Sequence, residues 1–363
     1  MKNKKWFFYS ISNPTIILSI ILLIFLKIIV FILIKNDFLE ISLGGGSDAD
    51  YYHAYTIGYE DTAVNIWPVI LKFFNNIGLY SRTGFSYFFL LLNLIFIPIL
   101  TGKIAGLSFK RDQKSYLFLY LVCLVYPTLF FYTFDVYRDV FMISAFLLGC
   151  LFVKKSLESK SFFTFLFFYG VALLWGWFLF SLRPYLGYAF LGALFLWNIR
   201  LTKKRIIFFS ISYFTTLFIL NYLGLFDQLT EYRGGFEDDS SGSTLSLDFS
   251  NPIMFLPNFI LSFLGQLLGL YITNPIAVLL FVIETIPFIF MLRYIILNIS
   301  YANKFVIFLI MFFVLYGSIW LIGNDNLGTA VRLRMFNYFS VYICFFYILS
   351  LKNKVQFKRE SIK

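Results

Sequence analysis

The chain has 363 residues, of which 60% are hydrophobic, 22% aromatic and only 13% charged, and its formal net charge is +11. Soluble globular domains carry about twice that charged fraction, so the composition excludes a soluble class and indicates a membrane protein. The three cysteines, Cys123, Cys150 and Cys344, lie singly in apolar stretches, and this spacing predicts neither a disulfide nor a zinc site.

Apolar stretches long enough for spanning helices recur along the whole chain. Because a hydrocarbon layer of about 30 Å requires about 20 apolar residues per helix, the sequence predicts an all-α polytopic membrane protein, with 1–363 forming a single membrane domain. The first stretch follows three lysines but has no small-residue cleavage site, which predicts a retained helix rather than a signal peptide. The ten predicted spans are 14–34, 85–105, 115–134, 139–154, 162–182, 184–200, 205–224, 276–298, 305–323 and 335–351.

Lysine and arginine set the predicted orientation. With the N-terminus inside, the lysine-rich connections and the basic C-terminal tail all fall on the cytoplasmic side, as the positive-inside rule requires. Both termini are therefore predicted to be cytoplasmic. The net charge follows from this topology and gives no support to nucleic-acid binding. Three outer segments remain, at about 36–84, 225–275 and 324–334.

The first outer segment carries the chain's only histidine close to two aspartates. Ser47 or Asp48 can cap a helix after three glycines, and on that helix Asp50 and His53 share a face. Such a cluster is typical of a general base, or of groups that bind a sugar hydroxyl or a phosphate-bound metal. The alternative is that Asp48 only caps the helix and that Asp50 and His53 are solvated. Apolar residues at helical spacing within 65–76 predict further helices lying in the membrane interface.

Arginines occur at three predicted outer helix ends. A guanidinium group matches phosphate oxygens with two hydrogen bonds, so arginines from separate segments on one side predict an anion site there. The alternative is that they anchor helix ends or pair with acids, as Arg138 could with Asp135 or Asp139. The residues of this predicted substrate site are Tyr137, Arg138, Asp139, Arg183, Arg332 and Arg334.

The remaining polar features predict less. The run 231–243 is rich in Gly, Ser and acids, which is typical of a flexible solvated loop, with a lid as the alternative. The apolar stretch 258–272 is short for a span and is predicted to be re-entrant. Glu284 is the acid placed deep in a predicted span, and Lys27 is a candidate partner for it.

Four short motifs resemble one bacterial family. They are Gly46-Ser47-Asp48-Ala49-Asp50-Tyr51-Tyr52, Tyr137-Arg138-Asp139, Arg183-Pro184 and Asn326-Leu-Gly-Thr-Ala-Val-Arg332-Leu-Arg334. In sequence these four motifs, and in layout most of the chain, resemble bacterial O-antigen and capsule repeat-unit polymerases, which look like multi-pass C-type glycosyltransferases.

The resemblance implies transfer of a glycan from polyprenyl pyrophosphate to a hydroxyl of another lipid-linked repeat unit, outside the bacterial cytoplasmic membrane. It assigns the four arginines to pyrophosphate and Asp48 or Asp50, or else His53, to the acceptor proton. No organic cofactor is expected, and a divalent metal is left open. The expected partners are lipid-linked oligosaccharides, membrane lipid, a chain-length regulator and a flippase. Two alternatives remain: a single-sugar transferase with a lipid-linked donor, and a flippase or transporter of lipid-linked glycan.

Overall fold

The computed structural model describes residues 10–39, 46–238 and 244–360. Within these residues the chain is helical, and its extended pairing is a single bridge between Thr244 and Asn326. Eight of the described helices are long and apolar enough to cross a membrane, which confirms a polytopic membrane protein. The number of spans and the sides of the termini stay predictions.

The chain forms two compact units, Met1–Arg183 with Tyr342–Lys363, and Pro184–Val341. The helices of the first are α1 Asn13–Lys35, α2 Gly46–Ile57, α3 Ile66–Asn76, α4 Arg82–Ile104, α5 Gln113–Val125, α6 Pro127–Phe131, α7 Asp139–Leu157 and α8 Phe162–Leu182. Those of the second are α9 Pro184–Leu196, α10 Lys203–Tyr222, α11 Asp227–Asp238, α12 Pro252–Leu267, α13 Pro275–Leu297 and α14 Lys304–Gly323. The last helix, α15 Leu327–Glu360, contributes residues to both units.

In the first unit, α1 packs against α5, and α7 packs along α8. The charge of Lys27 on α1 is buried, and its ammonium group donates to Asn93 Oδ1 at 3.0 Å. Asn93 lies in a π-helical turn of α4, Leu92–Phe96. In the second unit, α14 is the central helix, because α9, α11 and α12 all pack against it.

Helices α2 and α3 are the helices that the sequence predicts in the first outer segment. Asn65 caps α3 by accepting a hydrogen bond from the Trp67 backbone N–H at 2.9 Å. Gly58 and Gly78 follow the two helices with φ of 93° and 73°, a backbone conformation that glycine adopts without strain. Helix α2 begins at Gly46, so Asp48 lies in its first turn rather than at its cap.

Three predicted boundaries are wrong. The span 115–134 is broken after Val125, because Pro127 forces Tyr126 into an extended conformation with ψ of 100°. The third outer segment is largely helical, since α15 begins at Leu327 rather than at 335. The flexible loop predicted at 231–243 is wrong for its described part, 231–238, which lies in α11. Residues 239–243 lie outside the described residues.

Candidate functional site

Arg82 connects two of the acidic residues of the first unit. Its Nε and Nη2 donate to the two carboxylate oxygens of Asp135 at 2.8 and 2.6 Å, and the same Nη2 donates to Asp50 Oδ1 at 2.6 Å. Ser81 caps α4 just before this residue, so Arg82 extends from the first turn of a spanning helix. Asp50 keeps 68% of its side chain exposed, and its second oxygen remains open to solvent or substrate. Arg82 therefore fixes the place of Asp50 without burying it.

His53, one turn after Asp50 on α2, is held from one side. Its Nδ1 lies 2.9 Å from the Tyr80 hydroxyl, and the two rings stack with centroids 5.8 Å apart. Burial raises the pKa of Tyr80 to about 12, so the phenol keeps its proton at neutral pH. The other ring nitrogen of His53, Nε2, makes no hydrogen bond to a residue that the structure describes. That nitrogen is available for proton transfer.

The segment 132–138, between α6 and α7, joins this acidic cluster to the arginines. Asp135 faces Arg82, and the carbonyl of Val136 accepts the indole N–H of Trp67 at 2.9 Å. Three residues after Asp135, the Arg138 Nη1 donates to the Leu182 carbonyl at 3.2 Å. The Cα atoms of Asp135 and Arg138 are therefore at most about 11 Å apart.

Arg183 follows Leu182 at the end of α8. Its φ of −157° and ψ of 115° take it out of the helix, because the next residue is Pro184. The side chain is only 6% exposed, and its Nη1 has no hydrogen-bond partner among the described residues. Two guanidinium groups, those of Arg138 and Arg183, thus belong to the same end of the α7–α8 pair. A buried donor of this kind is costly unless something accepts its hydrogen bonds.

The other predicted residues of the first unit surround this arrangement. Asp48 lies half-buried in the first turn of α2, and Asp139 is fully buried in the first turn of α7, where the positive end of the helix favours a carboxylate. Tyr137 is buried in aromatic contacts with Phe131 and Tyr132. Tyr137 and Asp139 are thus buried beside Arg138 in the chain, and their part in the substrate site stays a prediction.

The second unit holds Arg332 and Arg334. They are two positions apart on α15 and so point about 200° apart around the helix, which prevents both from facing one small anion. Arg334 Nη2 lies 2.9 Å from Glu284 Oε2, and both side chains are buried. The partner that the structure gives Glu284 is thus Arg334, whereas Lys27 bonds to Asn93. A direct role of Arg334 in anion binding stays a prediction, and this ion pair argues against it.

The sequence reasoning missed two arginines. Arg233 is buried and forms an ion pair with Asp325, and its Nε and Nη1 donate to the carbonyls of Leu247 and Asn324 at 2.9 and 2.6 Å. Arg82 was missed as well. Its position directly after a serine cap at the start of a predicted span was the available signal.

The described residues contain no group of three or more His, Cys, Asp or Glu side chains placed to hold a metal ion. No family model, curated protein or solved structure matches the chain.

Proposed function

We propose that the chain is a membrane-embedded glycosyltransferase that joins lipid-linked repeat units into a polysaccharide at the outer face of the bacterial cytoplasmic membrane. The donor is a glycan on polyprenyl pyrophosphate, and the acceptor is a sugar hydroxyl of another lipid-linked unit. The observation that carries the proposal is the Arg183 guanidinium, which is buried at the end of a spanning helix. Its Nη1 has no partner among the residues that the structure describes, and Arg138 lies at the same helix end.

A pyrophosphate leaving group suits this arrangement. It gains negative charge as the glycosidic bond to the donor sugar breaks, and guanidinium groups already in place stabilise that charge without further reorganisation. Arg183 and Arg138 supply these groups in our proposal. They lie beside the end of α8, a helix long enough to span a membrane, and in our proposal this end is level with the lipid phosphates.

The acidic cluster supplies the acceptor side. In the proposed reaction the acceptor oxygen attacks the anomeric carbon, the bond to pyrophosphate breaks, and its electron pair leaves on the pyrophosphate oxygen. The acceptor proton passes to Nε2 of His53, in the tautomer whose Nδ1–H donates to the Tyr80 hydroxyl and so holds the ring in place. Asp50 accepts a hydrogen bond from another sugar hydroxyl through its open oxygen, while Arg82 fixes the carboxylate.

The proposal is tested in a bacterial host from which this protein has been removed. The measurement is the gel ladder of polysaccharide lengths, with and without the wild-type chain supplied again. We expect the host alone to retain single repeat units, and the wild-type chain to restore the ladder. His53→Gln is expected to lower long-chain product by about 100-fold, and Asp50→Asn by about tenfold, because the first removes the base and the second one substrate contact. Asp61→Asn, in the exposed stretch after α2, is the matched control and should give the wild-type ladder.

The same experiment separates the alternatives. Loss of one sugar from every repeat unit would identify a single-sugar transferase. Repeat units accumulating on the cytoplasmic side would identify a flippase. Normal polymer from both His53→Gln and Asp50→Asn would contradict the assignment of this site.

A further inference from the structure

Helix α3 exposes apolar side chains on the face opposite to the one that it buries. Val69, Phe73 and Ile77 follow one another at a spacing of four residues and are 43%, 60% and 52% exposed, whereas Trp67 and Leu71 are buried. A helix at a protein surface normally turns polar residues outward. These three residues, called the outer ridge below, therefore mark a surface that meets something other than water.

The neighbours of α3 place it at the end of the spanning helices. Arg82, the first residue of the spanning helix α4, follows the end of α3 by six positions, and Leu79 between them is 67% exposed. The Trp67 indole is bonded to Val136, just before α7, and α3 also packs against α8. Two helices long enough to span a membrane, α4 and α7, thus begin near α3, and a third, α8, packs against it.

The charge of α3 favours lipid over a protein partner as the occupant of this surface. Its sequence, from Ile66 to Asn76, contains one lysine and no acid. The Lys72 ammonium lies 4.7 Å from the centre of the Tyr55 ring on α2. Apolar residues beside a cation and with no carboxylate among them are the pattern of a helix that lies at an anionic lipid surface.

We propose that the outer ridge inserts into the outer leaflet and thereby holds α2, with Asp50 and His53, at the depth of the lipid headgroups. The first half of this inference is independent of any activity, and the second half rests on the proposed function. The depth of α3 in the membrane also sets the depth of α2, because the two helices pack together and Asn75 Nδ2 donates to the Thr56 carbonyl at 3.2 Å. The site then lies level with the pyrophosphate of a substrate in the same leaflet.

Spin labels on the full chain test the insertion. The three native cysteines are buried, so a label added at Phe73→Cys reports from that position alone. The protein is reconstituted in vesicles of phosphatidylethanolamine and phosphatidylglycerol, and collisions with oxygen and with a water-soluble nickel chelate are measured. Leu174→Cys, exposed in the middle of α8, is the lipid control, and Asp61→Cys is the aqueous control.

We expect the label at Phe73→Cys to resemble that at Leu174→Cys, with high oxygen and low nickel accessibility. High nickel accessibility would overturn the inference. Low accessibility to both reagents would also overturn it, because the ridge would then be covered by protein, either a second copy or another partner.

The length of the polysaccharide product tests whether the outer ridge positions α2 and its site residues. The double variant Phe73→Gln with Ile77→Gln is expected to lower long-chain product by about tenfold, because a small displacement of reacting groups is costly. Phe73→Leu with Ile77→Leu preserves an apolar ridge and should retain the product. Full product from the glutamine variant would overturn the positioning role. Absence of polymer from the wild-type chain would refute the proposed function and leave the label result standing.

Discussion

Replacing Arg183 by alanine is expected to lower the yield of long-chain polysaccharide by about 100-fold or more, with the protein still inserted in the membrane. The guanidinium is buried, and none of the described carboxylates pairs with it. Alanine therefore leaves no unpaired charge behind, and the fold should tolerate the change. What is lost is the group that stabilises the departing pyrophosphate.

Two further variants sharpen this test. Arg183→Lys keeps the charge but not the planar pair of donors, so we expect partial activity, between that of alanine and wild type. Arg200→Ala removes an arginine that lies exposed after α9 and should leave the ladder unchanged. The measurement is the gel ladder, normalised to the amount of protein in the membrane. A wild-type ladder from Arg183→Ala would remove the arginine from the mechanism.

The second large effect is on stability. Replacing Arg233 by methionine is expected to destabilise the protein by about 3–5 kcal/mol, because Asp325 then stays buried without its cation. The loss extends beyond one ion pair, since the guanidinium also donates to the carbonyls of Leu247 and Asn324. These bonds hold α11 and the segment around 247 onto the junction between α14 and α15.

A double variant distinguishes an unpaired charge from general damage. Arg233→Met with Asp325→Asn should recover much of the stability, because the buried carboxylate is removed as well. Arg111→Met is the control. Arg111 also forms an ion pair, with Asp112, but its side chain is 61% exposed, and exposed pairs contribute about 0–1 kcal/mol to stability. Thermal midpoints of the detergent-solubilised protein measure all three. An unchanged midpoint for Arg233→Met would contradict the structural role.

Local patterns predicted the elements but not the pairings. A cap signal at Ser47 or Asp48 after three glycines predicted α2, and apolar residues at helical spacing predicted α3, because such signals act within a few residues. The hydrogen bond of Arg82 to Asp135 joins positions 53 residues apart, and no periodic pattern in the sequence predicts it. Arg233 was misjudged for the same reason, since the polar run after it is typical of a solvated loop, whereas Asp325 lies 92 residues further on.

The sequence likewise predicted residues of the candidate site but not their partners. Four of the predicted site residues belong to one unit: Asp50, His53, Arg138 and Arg183. Hydrogen bonds link Asp50 to Arg82, and Arg138 to the Leu182 carbonyl at the end of α8. Arg334 looked equivalent to them in sequence because it stands near the start of a helix. Its charge is matched by Glu284 from a π-helical turn of α13, a pairing that sequence spacing could not predict.

Polymerase activity is measured directly with the purified full chain in proteoliposomes, supplied with polyprenyl-pyrophosphate oligosaccharide from a host that lacks the protein. We expect the proposed polymerase activity to give products that grow in steps of one repeat unit, with one polyprenyl pyrophosphate released for each bond formed. Folded wild-type protein that forms no glycosidic bond, or that adds only a single sugar, would contradict it.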